Sequence, residues 1–291
     1  MIPTLNAVTA GSGLALPQFV QLAAQNGFVG IEYSIQEAAQ LVAQTSFAEV
    51  AAIFETPKIL PVVFDLPVEW RKDEDTFQSG LAQLPAWAKL AQDLDCTRCV
   101  TWVLPDGGIA RDEYAQTSMR RFGQIGQVLS EQGVRLGLEF IGPHHFRTNP
   151  SNVWFYDIAG ALDVVAQVQE AHQLENLGLL VDCFHWYTSG GNTMDLASIP
   201  LEQIVHVHIN DAPDVAVELQ QDFTRLLPGQ GIIDLNAFLQ TLAAIGYDGP
   251  VAVETFSDEL KQMAPDDAAK LAGQAVAQTF ARAGIEPLHL V

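Results

Sequence analysis

Residues 204–213 read IVHVHINDAP. Apolar and polar side chains alternate, as they do along a β-strand whose two faces meet different surroundings. Val205, Val207 and Ile209 share one face, expected to pack under helices; His206, His208 and Asn210 share the other. An imidazole is poor core material, because its ring nitrogens need partners once water is excluded. Local hydrogen bonding is one reason for two histidines on an apolar strand. The other is that the strand points a ligand at something, which requires partners elsewhere in the chain.

Seven further strand-like runs flank this one: TLNAVTA (4–10), FVGIEYS (28–34), KILPVVFDL (58–66), TRCVTWVL (97–104), RLGLEFI (135–141), LGLLVDCF (177–184) and PVAVETF (250–256). Between them lie stretches with apolar residues at three- and four-residue intervals, at 16–27, 35–55, 77–94, 114–133, 158–173, 235–246 and 268–284. That spacing is the mark of a helix burying one face. Gly27, Gly133 and Gly246 each close such a stretch just before the next strand, which suits a left-handed helix terminus. The segment after LGLLVDCF is short and poorly helical, so one unit is degenerate.

Strands alternating with helices predict a parallel sheet with right-handed crossovers. Eight of them close into a barrel. An open doubly wound sheet is the alternative, but no G-x-G-x-x-G follows an early strand, and GSG at 11–13 is a weak fragment of one. No linker or shift in composition divides the chain. The expectation is a single (β/α)8, or TIM, barrel over residues 1–291.

Composition sets outer limits. The chain has 291 residues, 48% of them hydrophobic, enough for a large core. Its net charge of -21 and pI near 4.4 oppose binding to phosphate backbones or anionic lipid, so no nucleic-acid or membrane partner is expected. No apolar run approaches the roughly 20 residues needed to span a bilayer. Three cysteines cannot form a disulfide framework, and no basic segment precedes the first apolar residues, so a cytoplasmic location is expected. Cys96 and Cys99 form a C-x-x-C, but only Cys183 remains to complete a zinc site, and the spacing is read as chance.

The pleat then sorts the polar residues. In RLGLEFI, Leu136, Leu138 and Phe140 face the helices and Glu139 faces inward; in LGLLVDCF, Asp182 faces inward; in PVAVETF, Glu254 does. Four consecutive strands thus send an acid or an imidazole into the barrel near their C-terminal ends, where such barrels place their chemistry. Three uncompensated carboxylates in one cavity repel and resist ionisation. One divalent cation (Mn²⁺, Co²⁺, Mg²⁺ or Zn²⁺) removes the conflict, because carboxylate and imidazole both ligate such ions. The inferred metal ligands are Glu139, Asp182, His208 and Glu254. His208 is preferred to His206 because it lies one pleat nearer the strand's exit; His206 is assigned to packing or to support of a ligand. Any one of these residues alone reads most simply as a hydrogen-bonded core group. Four in register carry the inference.

At these residues the chain resembles the xylose isomerase-like, or sugar phosphate isomerase/epimerase, superfamily of TIM barrels. The resemblance runs through GFVGIEYS (27–34), GLEFIGP (137–143), LLVDCFHWY (179–187), HVHIND (206–211), RLLPGQGIID (225–234) and GPVAVETF (249–256). Each motif is weak alone; their order is specific for the superfamily and not for a substrate. The resemblance implies an isomerase or epimerase of carbohydrates, a homodimer, and a metal held by the four residues named. It also implies that Glu139 and Glu254 serve as acid and base on opposite faces of a sugar, by proton abstraction next to a carbonyl through a metal-stabilised enediolate. His185 and Arg225 match substrate-contacting positions, with an internal hydrogen bond and a loop salt bridge as the simpler alternatives. Glu32, inward at the end of strand two, is assigned to a substrate hydroxyl, and Trp102 either stacks on a sugar face or fills the core.

Departures limit the likeness. Where the ketose 3-epimerases carry a further glutamate, this chain has His145. Together with His144, Arg147 and Arg225 it suits a phosphorylated or carboxylated substrate, or else belongs to a solvated loop. The long loop 211–231 reads as a lid, with its acids forming a solvated face. An inosose-type dehydratase or hydroxypyruvate-type isomerase would use the same site. An AP endonuclease IV-like phosphodiesterase would need inward histidines on strands three and four, where Asp65 and Trp102 stand. A non-catalytic sugar-binding module would leave two glutamates flanking a cation without a use.

Overall fold

In the computed structural model, which describes residues 1–289, eight short strands form the centre. They are β1 (Ile2–Leu5), β2 (Gly30–Tyr33), β3 (Leu60–Asp65), β4 (Arg98–Val103), β5 (Arg135–Phe140), β6 (Leu177–Asp182), β7 (Ile204–Ile209) and β8 (Pro250–Val253). Each pairs in parallel with the next, and β1 pairs with β8, Ile2 opposite Pro250, so the sheet closes into a (β/α)8 TIM barrel. The last two residues of the expected 1–291 span lie outside the described residues. Among the described residues no helix is long and apolar enough to cross a membrane.

Local chemistry accounts for where elements begin and end. The first strand, expected over 4–10, stops at Leu5: the Asn6 side chain accepts the Val8 N–H at 2.8 Å and turns the chain. The stretch 35–55 is two helices, 35–44 and 47–55, because the Ser46 hydroxyl accepts the Glu49 N–H and caps a new start. Gly27, Gly133 and Gly246 have φ of +82°, +66° and +93°, so all three helix-ending glycines take the left-handed conformation. The unit after β6 is reduced to two short helices, 183–188 and 193–197.

The main core lies between the strands and the helices, with Phe77, Phe122, Phe140, Phe184 and Phe238 fully buried. A smaller cluster of Val62, Val63, Val100, Leu180 and Val205 fills the barrel itself and floors the cavity above. Val205 therefore points in, not out as its alternation suggested. The β6–β7 register shifts between Leu179 and Leu180, and this irregularity breaks the strict two-residue period. Gly137 makes room in this layer: a Cβ there would sit 3.0 Å from Val205 Cβ and 3.2 Å from Val100 Cγ1.

The long loop after β7 is pinned from below. The buried Asp211 carboxylate accepts the N–H groups of Ala212, Gly229, Gly231 and Ile233, and the Asp211 and Leu226 backbones exchange hydrogen bonds at 2.8 Å. Arg225 is thereby placed over the barrel mouth.

Candidate active site

Strand ends β5 to β8 bring Glu139, Asp182, His208 and Glu254 together: one ligand-type atom from each lies within 4.8 Å of the others. Glu139, Asp182 and His208 are buried, and Glu254, one residue past β8, is half-buried. His208 Nδ1 stands 3.2 Å from Glu254 Oε2 and 3.7 Å from both Glu139 Oε1 and Asp182 Oδ2. Glu139 Oε1 and His208 Nδ1 are buried and have no hydrogen-bond partner, although they face the same small space. Three carboxylates and an imidazole nitrogen, free to ligate once an ion displaces its proton, form a hard-oxygen and nitrogen donor set of the kind divalent cations take. The residues fit such an ion.

Electrostatics show how crowded the space is. Burial, and then repulsion from Glu254, pushes the Glu139 carboxyl well above its ordinary range. Burial disfavours charge on His208 too, but Glu254 and Glu32 outweigh it and raise its pKa well above the usual value. Asp182 is held by its surroundings: its Oδ1 accepts the Phe184 and His185 N–H groups, capping the short helix 183–188, while Asn210 Nδ2 donates to Oδ2 at 3.0 Å.

Arg225 brings a permanent positive charge to this site. Its Nη1 donates at 2.8 Å to both Asp182 Oδ2 and Glu254 Oε2, and its Nη2 to Asp222 Oδ1 at 2.6 Å. His185 Nε2 lies 3.0 Å from Nη2. The acids of the loop were read from sequence as a solvated face; Asp222 instead reaches in and holds Arg225, because a buried guanidinium needs a partner on each edge.

Glu32 is not turned into the cavity, contrary to the expectation of a substrate hydroxyl. Its Oε1 lies 2.9 Å from both His206 Nε2 and His208 Nε2, and its Oε2 accepts from Asn6 Nδ2 at 3.0 Å. The β2–β3 register shifts between Ile31 and Glu32, and the two imidazoles occupy its Oε1. His206 is thus buried against Glu32 and beside His208, forming with them a second group of possible ligand atoms next to the first.

Above these residues lies a cavity of about 360 Å³ with the acidic floor and walls of Trp102, Leu104, Ile141, Phe146 and Phe256. Trp102 is 44% exposed, and the Arg71 guanidinium covers one of its faces at 3.4 Å from the ring centroid. His145 is not among the lining residues; its ring packs on Phe146, which forms the wall in its place. Arg147 is occupied elsewhere, donating to the Gly142 and Thr188 carbonyls and stacking on Tyr156. Cys96 and Cys99 are free and buried, and among the described residues neither joins a group able to hold a metal. Asn6, Asp222 and Phe256 were missed by sequence reasoning; Phe256 left a signal, since it shares the alternating face of Glu254 in PVAVETF, and Asn6 another, at an inward position of TLNAVTA.

Comparison with known proteins gives the same architecture. A crystal structure of a xylose isomerase domain protein from Alicyclobacillus acidocaldarius superposes with a TM-score of 0.86 at 31% identity, covering 98% of this chain and 99% of that one. The structure of IolI protein with a bound zinc atom matches with a TM-score of 0.80 at 23% identity over 97% and 99% of the two chains, a likeness of fold. An inosose isomerase from Halalkalibacterium halodurans is 27% identical over 251 residues, 85% of each chain. The family model for the xylose isomerase-like TIM barrel matches residues 20–279, from the first helix to the last. With that span and the closed eight-strand barrel, the chain belongs to the xylose isomerase-like TIM-barrel family.

Proposed function

We propose that this protein is a divalent-metal-dependent isomerase or epimerase of uncharged polyhydroxy ketones, sugars or inososes, that moves a proton at the carbon beside the carbonyl. The observation that carries the reading is the convergence of Glu139 and Glu254 from β5 and the end of β8 on one small space shared with Asp182 and His208. Those four residues would hold the ion. When bound, it would act as a Lewis acid toward a substrate carbonyl and its neighbouring hydroxyl.

The chain's own groups would do the rest. Two carboxylates on different sides of a ring can take a proton from one face and return one to the other. Arg225 and His185 line the cavity beside the acids and, paired with one another, would fix the position of those carboxylates. Trp102 and Phe256 offer apolar faces to a ring, and the walls exclude water from the reacting carbon.

The cations near the cavity favour an uncharged substrate over a phosphorylated one. Arg225 is committed to three carboxylates, Arg147 to two carbonyls, and Arg71 to Thr101, the Trp102 carbonyl and the indole. A phosphate would have to compete for each of them. The inosose isomerase relative fits a neutral polyol.

The test is solvent exchange. Metal-saturated protein would be incubated in D₂O with free ketoses, inososes and sugar phosphates, and deuterium entering the carbon next to the carbonyl followed by NMR. Incorporation with a neutral polyol ketone, lost in Glu254→Gln assayed at metal occupancy matched to wild type, is the expected result. Exchange with sugar phosphates alone refutes the uncharged-substrate reading, and full turnover by Glu254→Gln refutes the acid/base pair.

A further inference from the structure

The arrangement behind the site has a chemical consequence that begins with hydrogen positions. Glu32 is surrounded by donors: His206 Nε2 and His208 Nε2 on Oε1, both at 2.9 Å, and Asn6 Nδ2 on Oε2 at 3.0 Å. A carboxylate only accepts, so both imidazoles must carry their hydrogen on Nε2 to satisfy it. That leaves His208 Nδ1 as the atom facing Glu139, Asp182 and Glu254, the nearest at 3.2 Å; like His206 Nδ1, it is buried and makes no hydrogen bond. The imidazole is caught between two sets of acids, one on each nitrogen. The first set decides which nitrogen the second set sees.

We propose that Glu32 is a positioning residue which, held by His206 and Asn6, fixes the Nε2–H form of His208 and so presents Nδ1 to the cation. The inference rests on the metal reading of the preceding subsection and adds a role that touches neither ion nor substrate. His206 completes the device. It stands on the same strand two residues earlier, with its ring centroid 4.9 Å from that of His208, and takes up the other lone-pair direction of Glu32 Oε1. Asn6 ties the array to the far side of the site, its Nδ2 lying 3.4 Å from Glu254 Oε1. A carboxylate hydrogen-bonded to a ligand imidazole orients the ring and raises its basicity, and losing it weakens metal binding by roughly 10- to 100-fold.

The experiment uses metal-stripped full-length protein titrated with Zn²⁺, with histidine ring nitrogens labelled with ¹⁵N. In the wild-type Zn²⁺ form, long-range ¹H–¹⁵N spectra should show His208 bound through Nδ1, with a hydrogen on Nε2 that exchanges slowly with water. Calorimetry on Glu32→Gln should give a zinc Kd weaker by about 10- to 100-fold, with that hydrogen no longer protected. Ligation through Nε2 in the wild type overturns the proposal whether or not any variant folds. A folded Glu32→Gln with a Kd within twofold of wild type and an unchanged ring pattern also overturns it, reducing Glu32 to core support. Wild-type protein that binds no Zn²⁺ or Mn²⁺ overturns the metal reading itself, a separate failure.

Discussion

Arg225→Met is the sharpest probe of the site's electrostatics. Methionine keeps an apolar stem of similar bulk but ends about where the arginine Nε stands, short of the guanidinium carbon that lies 5.1 and 4.9 Å from the Phe184 and Phe256 rings. It donates nothing. Asp182 Oδ2, Glu254 Oε2 and Asp222 Oδ1 then lose their charged partner in a region where the Asp182 and Arg225 side chains are at most 1% exposed. Removing one member of a buried ion network costs about 3–5 kcal/mol, because the remaining charges stay buried and unpaired. Unfolding entropy of about 2.1 cal/mol/K per residue gives roughly 0.6 kcal/mol/K for a chain of 291 residues, so Tm should fall by about 5–8 °C. The assay is calorimetry on chelator-treated protein at pH 7.5. Saturating Mn²⁺ should narrow the deficit by supplying charge to the same oxygens. A Tm within about 1 °C of wild type at pH 7.5 would refute the reasoning.

Metal affinity should rise with pH. Glu139 is raised by burial and by Glu254, and His208 is raised by Glu254 and Glu32 against the effect of burial, so a cation must displace a proton from this cluster. The gain is up to about tenfold per pH unit for each proton released, and calorimetry in buffers of different ionisation enthalpy counts them; a flat profile between pH 6 and 8 contradicts it. Gly137→Ala should lower Tm by about 2–5 °C, since the new Cβ meets Val205 Cβ at 3.0 Å and overpacking costs about 1–3 kcal/mol. Unchanged melting would mean the inner layer can shift. Trp102→Ala should raise KM by about 5- to 12-fold, the loss of roughly 1–1.5 kcal/mol of aromatic stacking, with Tm little changed because the residue is 44% exposed. An unaltered KM would assign Trp102 to supporting Arg71 alone.

The barrel and the four converging groups were both open to a reading of residue order, for one reason. Strand pleating is a local property, so alternation in RLGLEFI, LGLLVDCF and IVHVHIN reports which side chains share a face before any tertiary contact is known. Where pleating is interrupted, the reading failed. Val205 points inward because β6 and β7 slip register at Leu179–Leu180, and such an irregularity depends on the neighbouring strand. The split of 35–55 into two helices was open to a closer reading, because Ser46 three residues before Glu49 is a capping signal in the sequence itself.

The sequence by itself therefore determined the eight-unit alternation, the inward placement of Glu139, Asp182, His208 and Glu254, and the glycine helix ends, because each follows from steric periods of two or about 3.6 residues. Only the tertiary structure decided the partners of those side chains. Glu32 faces a strand 174 residues away, Asn6 reaches Glu254 across 248, and Arg225 collects three carboxylates from three different segments. Such choices turn on rotamers and on which lone pair meets which hydrogen after the barrel has closed, and no local period carries that information.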